Sequence, residues 1–187
     1  LDHVDRVAAA GDQEIEVDQL CVAIGRRPYT RDLLAEGTGV QLDERGFIKV
    51  DQECRTDAES VWAGGDAVRG PMLAHKGKEE GAMVADLIAG EFAEVNYKTV
   101  PSVIYTAPEI AWVGQTEQQL KAAGRAYRSG SFPFMANGRA RALGDTTDMV
   151  KMLADAATDE ILGVHIVGPF ASELIAECVV AMEFRAS

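Results

Sequence analysis

Cysteine is scarce in this sequence of 187 residues, and the three that occur, Cys21, Cys54 and Cys178, lie far apart. No two of them have the C-x-x-C spacing of a dithiol pair or the spacing of metal ligands. We therefore expect neither a redox disulfide nor a metal site within the chain. The cysteines are instead expected to be buried, reduced thiols, with Cys21 in an apolar strand and Cys178 in a helix.

Long apolar runs and basic clusters are also missing. No stretch has the roughly 18 apolar residues that span a bilayer, and no charged-then-apolar leader precedes the first periodic segment. Lys and Arg number 18 against 30 Asp and Glu, which gives a net charge of −12. Binding to phosphate backbones needs clustered Lys and Arg. We expect a soluble, cytoplasmic protein that binds neither nucleic acid nor membranes.

Hydrophobic residues make up 47% of the chain, which is enough for a packed core. The sequence pattern changes near residues 96–101, where we place a domain boundary. The chain begins in what reads as the middle of a sheet, and its last stretch, "ASELIAECVVAMEFRAS", reads as helical to Ser187. It is therefore expected to be a portion of a longer polypeptide, cut at both ends.

The residues before this boundary predict an α/β arrangement. Two strands are expected around a turn at Gly11 and Asp12, and residues 20–24 form an apolar run typical of a strand buried on both faces. Further strands are predicted at residues 47–50 and 60–63. A helix is predicted over residues 72–89, with Gly90 as its C-terminal stop.

The residues after the boundary predict an antiparallel sheet with helices packed on it. Strands are expected at residues 110–113, 126–132, 149–154 and 161–167. A helix over residues 117–123 lies between the first two, and a final helix follows the last. Thr116 and Gln119 have the spacing of a capping box, so the start of the first helix is well marked.

The stretch "VWAGGDAVRGPMLAHKGKEEG", residues 61–81, joins an apolar strand to a helix. Gly64 and Gly65 have no β-carbon, so a ligand or another backbone can approach the strand end closely. Asp66 follows at the carboxyl end of the strand, where open α/β folds place ligands, and the helix start offers unpaired N–H groups. The arrangement fits a large polar cofactor. An ordinary turn, with His75 as a helix residue satisfied by a neighbour, explains the same residues.

Five ordered blocks carry a resemblance that covers nearly the whole chain: "CVAIGRRPYT", "SVWAGGDAVRGPMLAHKGKEEG", "VPSVIYTAPEIAWVGQTEQQL", "FPFMANGRARAL" and "GVHIVGPFASELIAE". In this order they resemble the pyridine nucleotide-disulfide oxidoreductases. Within that family, "PMLAHK" followed by "EEG" is most similar to the dihydrolipoamide dehydrogenases.

The resemblance implies a chain of mixed class, α/β and then α+β. Residues 1–25 would be the tail of an NAD-binding domain, and residues 26–97 part of an FAD-binding domain. Residues 98–187 would be a β-α-β-β-β-α interface domain, truncated at its C-terminus, that forms a homodimer. FAD and NAD are the cofactors that this resemblance implies.

The resemblance also assigns cofactor contacts to single positions. Asp66 matches the aspartate that binds the ribityl chain of FAD, and Gly25 matches the glycine that approaches NAD. The segment whose backbone meets the flavin ring corresponds to Met72, Leu73, Ala74 and His75. Gly65 stands where the family usually has an apolar residue, which is expected to loosen the strand end.

No catalytic residue is expected within this chain. In the family the redox cysteine pair and both glycine-rich fingerprints would lie upstream, and the catalytic His-Glu pair would lie beyond Ser187. His165 alternates within the strand "GVHIVG" and is expected to have a satisfied side chain. Glu79 and Glu80 are interpreted as an exposed helix face.

The activity implied is oxidation of protein-bound dihydrolipoamide to lipoamide, with electrons passing through a redox disulfide and FAD to NAD. The implied partners are the lipoyl domains of 2-oxoacid dehydrogenase or glycine cleavage complexes. Two alternatives stay open: a related FAD-dependent disulfide reductase or soluble transhydrogenase-like relative, and a catalytically inert dimerisation module. The chain alone is expected to be inactive.

Overall fold

The computed structural model describes residues 7–10 and 13–187, with side chains from residue 17 onward. Strands β1 (Val7–Ala10) and β2 (Gln13–Glu16) pair antiparallel, with Val7 opposite Glu16. The predicted turn at Gly11 and Asp12 lies outside the described residues. The first two strands of the prediction are thus present as a two-stranded pair.

The buried strand predicted at residues 20–24 is wrong. These residues have no regular secondary structure, and Ile24 is 95% exposed. Cys21 is exposed as well, whereas Cys54 is fully buried. An apolar run becomes a buried strand only where other strands pair with both of its edges, and no strand within residues 7–10 and 13–187 pairs with this one.

Residues 26–73 are mostly loop, held together by single β-bridges. The strands predicted at residues 47–50 and 60–63 are reduced to the bridges that Ile48 makes with Leu42 and Val68 and that Trp62 makes with Arg55. Helix α1 (Ala74–Ile88) follows a short 3-10 turn (Gly65–Ala67), and it ends before Gly90. Among the described residues, no helix is long and apolar enough to cross a membrane.

The second half of the chain forms a five-stranded antiparallel sheet in the order β3-β4-β7-β6-β5. The elements are β3 (Ser102–Ile104), β4 (Glu109–Gly114), α2 (Glu117–Ala122), β5 (Tyr127–Pro133), α3 (Gly138–Leu143), β6 (Met149–Asp155), β7 (Ile161–Gly168) and α4 (Ala171–Glu183). The four predicted strands, the first helix and its capping box are confirmed. The short elements β3 and α3 are additions to the predicted order.

The final helix stops earlier than predicted. Helix α4 ends at Glu183, because Arg185 adopts a left-handed φ of 51°. The N–H of Ala186 then donates to the carbonyl of Ala181, and that of Arg185 donates to Met182. These two bonds satisfy the last carbonyls of the helix in the way that a glycine usually allows.

The core of this half lies between the sheet and α4. Ile175 and Met182 of α4 pack against Val113 of β4 and against Val164 and Ile166 of β7. On the other side of the sheet, a smaller cluster joins helix α2 to strands β6 and β7. Its buried members are Leu120, Leu153 and Leu162.

Candidate cofactor-binding site

The turn that carries Asp66 needs a glycine at position 65. Gly65 has a φ of +69°, a conformation that side chains with a β-carbon rarely adopt. Its N–H donates to Glu80 at 2.7 Å and its carbonyl accepts from Lys76 at 3.0 Å. The expected loosening at Gly65 is therefore wrong, because both of its backbone polar groups are held. Asp66 follows with its side chain 56% exposed.

The start of α1 presents open backbone donors. The N-cap residue, Leu73, makes no side-chain cap, and the first turn contains no acidic residue. The first N–H groups of a helix have no acceptor within it, and they carry partial positive charge. The His75 ring turns elsewhere: its Nε2 lies 2.8 Å from the carbonyl oxygen of Pro101, so it carries the proton and donates. This helix start therefore offers backbone groups to an electron-rich ligand.

Arg26 brings the predicted site residues together. Its Nη2 donates to the carbonyl oxygen of Met72 at 2.6 Å, and its Nη1 lies 4.0 Å from the Asp66 carboxylate. Gly25, directly before it, has a φ of +155° and open space where a β-carbon would stand. Sequence reasoning missed Arg26, although its position next to Gly25 is a usable signal.

Beneath the turn lies a charged pair that the sequence analysis misplaced. Lys76 and Glu80 are both 0% exposed, and their charged groups are 3.0 Å apart. The prediction of an exposed Glu79–Glu80 face is therefore wrong for Glu80, although Glu79 is exposed. The i,i+4 spacing of a lysine and a glutamate was the available signal, but it does not distinguish a surface pair from a buried one.

The buried pair is surrounded by further polar groups. Tyr97 donates to Glu80 at 2.9 Å, and Arg69 contacts both of them at 3.2–3.4 Å. Burial raises the pKa of Tyr97, and its hydrogen bond to the charge of Glu80 raises it further. Burial likewise raises the pKa of the Cys54 thiol. Tyr97 thus stays a donor and Cys54 a neutral thiol at physiological pH.

A cavity of about 460 Å³ opens beside the turn. It is lined by Trp62, Ala63, Gly64, Gly65, Gly77, Glu80, Gly81 and Val84. The indole N–H of Trp62 is buried and has no acceptor among the described residues. The glycines leave room for close approach, and the exposed Asp66 and the open helix start lie nearby in sequence. These residues fit an extended cofactor with hydroxyls and electron-rich carbonyl oxygens, as FAD has.

His165 stands apart from this site. It lies in β7, between Trp112 on β4 and Lys151 on β6. Both ring nitrogens are buried, and neither makes a hydrogen bond to a described residue. The prediction of a satisfied side chain is therefore wrong. Burial lowers the pKa of the His165 ring, and the charge of Lys151 lowers it further.

Two family profiles match the chain. Residues 2–81 match the profile described as pyridine nucleotide-disulphide oxidoreductase, and residues 100–187 match its dimerisation domain. Among curated relatives, the dihydrolipoyl dehydrogenase of Cupriavidus necator is 60% identical over 94% of this chain and 37% of its own length. The dihydrolipoamide dehydrogenase of Chaetomium thermophilum is 51% identical over 99% of this chain and 37% of its own length.

Solved structures agree on the fold. LpdA from Mycobacterium tuberculosis superposes with a TM-score of 0.85 at 29% identity, covering 96% of this chain and 41% of that one. The HOCl-induced flavoprotein disulfide reductase RclA from Escherichia coli superposes with a TM-score of 0.85 at 28% identity, covering 98% of this chain and 43% of that one. The chain thus spans less than half the length of these relatives. Because both of its halves match profiles of one family, the chain belongs to the pyridine nucleotide-disulphide oxidoreductases.

Proposed function

We propose that this chain is part of a dihydrolipoamide dehydrogenase. The reaction is the oxidation of protein-bound dihydrolipoamide to lipoamide, with the two electrons passing through a redox disulfide and FAD to NAD⁺, which becomes NADH as a proton is released. The observation that carries the proposal is the position of Arg26, which contacts Met72 and approaches Asp66. It gathers the segments expected to meet NAD and FAD around one side chain.

In this proposal the chain supplies binding groups rather than catalytic ones. Asp66 accepts hydrogen bonds from the ribityl hydroxyls, since its carboxylate is exposed at the end of a fixed turn. Gly25 lets NAD approach, since a β-carbon is missing there. The backbone that meets the flavin ring belongs to Met72, Leu73, Ala74 and His75. When bound, FAD accepts electrons from the dithiol and passes them to NAD⁺.

We assign residues 1–25 to the tail of an NAD-binding domain, 26–97 to an FAD-binding domain and 98–187 to the interface domain. A homodimer through the last of these is supported by the match of residues 100–187 to a dimerisation domain. It is also supported by Leu174, Val180 and Phe184, which are exposed apolar residues on and just after α4.

The lipoyl domains of 2-oxoacid dehydrogenase or glycine cleavage complexes are the proposed substrates, and a cytoplasmic location stays a prediction.

The first test is to read the gene on both sides of this chain. A C-x-x-x-x-C pair upstream, together with a histidine followed five residues later by glutamate downstream, supports the proposal. If both are missing, the catalytic assignment is withdrawn.

The second test addresses the flavin directly. An Asp66→Ala variant of the full-length protein, stripped of flavin, is titrated with FAD while flavin fluorescence is followed. We expect at least tenfold weaker binding, because the ribityl hydroxyls lose a charged acceptor. Unchanged affinity overturns the assignment of Asp66.

A sister flavoprotein disulfide reductase is the second candidate, and the match to RclA favours it. A cysteine pair upstream combined with turnover of a substrate other than dihydrolipoamide supports this candidate, and turnover of dihydrolipoamide excludes it.

A further inference from the structure

We propose that Lys76 and Glu80 are positioning residues for the flavin: their buried pair fixes the turn that aims Asp66 at the ribityl chain. The inference rests on the proposed function, because it takes Asp66 as the ligand of FAD. It adds two residues of helix α1 to which the sequence resemblance gives no role.

The contacts of the pair converge on one residue of the turn. Glu80 Oε2 accepts from the Gly65 N–H at 2.7 Å, and Lys76 Nζ donates to the Gly65 carbonyl at 3.0 Å. Both polar groups of the peptide backbone next to Asp66 are therefore held by side chains. Lys76 also donates to the carbonyl of Arg69 at 3.1 Å, on the far side of the turn. Side chains of helix α1 are thus hydrogen-bonded to the loop on both sides of Asp66.

The geometry leaves little freedom for the turn to move. A β-carbon on Gly77 would lie 3.1 Å from the Gly65 Cα, so the helix backbone touches the turn directly. A β-carbon on Gly64 would lie 3.4 Å from Cβ of Glu80. The Gly65 φ of +69° needs such support, because glycine has many other conformations open to it.

A buried ion pair is an expensive way to gain stability alone. Removing each charge from water carries a large free-energy cost, and well-packed apolar replacements are often equally stable. The hydrogen bonds that the pair makes to other residues go to Gly65, Arg69 and Tyr97. Its position therefore favours a role in holding the shape of the turn over a role in overall stability.

The test compares two double variants of the flavin-free, full-length protein. K76M/E80L removes both charges and every acceptor for the Gly65 N–H. K76M/E80Q also removes both charges but keeps an amide oxygen at the position of the acceptor. Single variants are avoided, because each leaves one buried charge unpaired and destabilises the fold. The matched control is K78M/E79L, which changes the same residue types at exposed positions of the same helix.

We expect K76M/E80L to bind FAD at least tenfold more weakly than the control, with an unfolding temperature close to that of the control. K76M/E80Q should recover most of the lost affinity, because the hydrogen bond to Gly65 is restored. Equal affinities of the K76M/E80L variant and the control overturn the inference.

A double-mutant cycle with Asp66→Ala tests whether the pair affects FAD binding through Asp66 or independently of it. If the pair acts through Asp66, adding K76M/E80L to Asp66→Ala should weaken FAD binding by less than twofold further. If K76M/E80L again weakens FAD binding tenfold or more in the Asp66→Ala background, the inference is overturned, but the assignment of Asp66 as a ligand of FAD still stands. Full FAD affinity in Asp66→Ala alone instead overturns the proposed ligand, so the two failures are distinguishable.

Discussion

Glu117, at the start of α2, is surrounded by hydrogen-bond donors and positive charges. Its carboxylate accepts a hydrogen bond from Lys151 and another from the Tyr127 hydroxyl at 2.7 Å, and Lys121 lies 3.4 Å away. The hydrogen bond from Lys151, followed by that from Tyr127, lowers the pKa of Glu117 from 4.5 to about 2. The carboxylate thus ties the helix to strands β5 and β6.

The sign of the pH effect follows from this lowered pKa. A carboxylate that is more acidic in the folded state stabilises the fold above its unfolded pKa, and that stability is lost between about pH 4.5 and about pH 2. A Glu117→Gln variant should be less stable than the parent at pH 7, with the gap closing as the pH falls through this range. Urea unfolding at several pH values measures it, and the exposed Glu177→Gln serves as control. A gap that is independent of pH would contradict the assignment.

His165 predicts a second pH effect at higher pH. Its ring nitrogens are buried, and burial followed by the charge of Lys151 lowers the pKa of the ring below its usual 6.5, which favours the neutral form. The unfolded state then binds more protons below pH 6.5, so stability should fall as the pH falls from there. In a His165→Phe variant, the free energy of unfolding should change less with pH between pH 6.5 and 5 than it does in the parent. Urea unfolding at several pH values measures this slope. An unchanged slope would show that another group is responsible.

Single side chains show why sequence reasoning reached only part of the site. The prediction of Asp66 and the segment after it as cofactor contacts rests on a family motif that is contiguous in sequence. Arg26 and Glu80 were missed or misplaced, because their roles depend on contacts across 46 and 15 positions in the chain. Local spacing describes neighbours on one helix, but it does not say which side of that helix another loop covers.

Glycines decide how the strands and helices of the second half fit together. A β-carbon on Gly163 in β7 would lie 2.2 Å from the carbonyl oxygen of Gln115, in the link between β4 and α2. The Gln115 N–H donates to Leu162 at 2.8 Å, so this close approach is also hydrogen-bonded. The start of α2 is therefore set against β7 by backbone contact.

Gly163→Ala should consequently destabilise the fold by about 2 kcal/mol or more, since the β4–α2 link would have to move. Gly130→Ala in β5 is the matched control, because a β-carbon there meets nothing within 4 Å. Thermal and urea unfolding of both variants measure the difference. Equal stability of the two would show that the link yields at little cost.

Elements were predictable from sequence where their signals are local. The capping box of Thr116 and Gln119 marked the start of α2, and short runs rich in apolar residues marked β4, β6 and β7. The run at residues 20–24 failed because a buried strand requires paired neighbours, which local pattern does not supply. The end of α4 failed because Arg185 adopts a left-handed conformation that sequence rules reserve for glycine.

The segment at residues 96–101, where a domain boundary was predicted, is tied to both halves. Tyr97 reaches back to Glu80, and the Pro101 carbonyl accepts from His75. Asn96 and Thr99 donate to Glu183 at the end of α4, at 2.9 and 2.8 Å. The segment at residues 96–101 thus makes hydrogen bonds both to helix α1 at the candidate flavin site and to the end of α4.

The pure chain should show no NAD-dependent oxidation of dihydrolipoamide. Its cysteines, Cys21, Cys54 and Cys178, are all free thiols, so no disulfide within the chain can accept electrons from the substrate. Spectrophotometry of NADH formation, with a complete dihydrolipoamide dehydrogenase as positive control, measures this. Turnover above the buffer rate would contradict the assignment of catalysis to residues outside this chain.

Self-association is expected to survive in the chain even without activity. The buried side of α4 packs on the sheet, whereas Leu174 and Val180 remain exposed and apolar. Burying such residues between two copies contributes about 25 cal/mol for each Å² of apolar surface. Sedimentation equilibrium should therefore give the mass of a dimer, and L174E/V180E should shift it toward the monomer. Leu143→Glu, at an exposed leucine on α3, should leave the dimer intact. A flavin-containing monomer would contradict both the interface and the inactive dimerisation module, since it would place cofactor binding ahead of assembly.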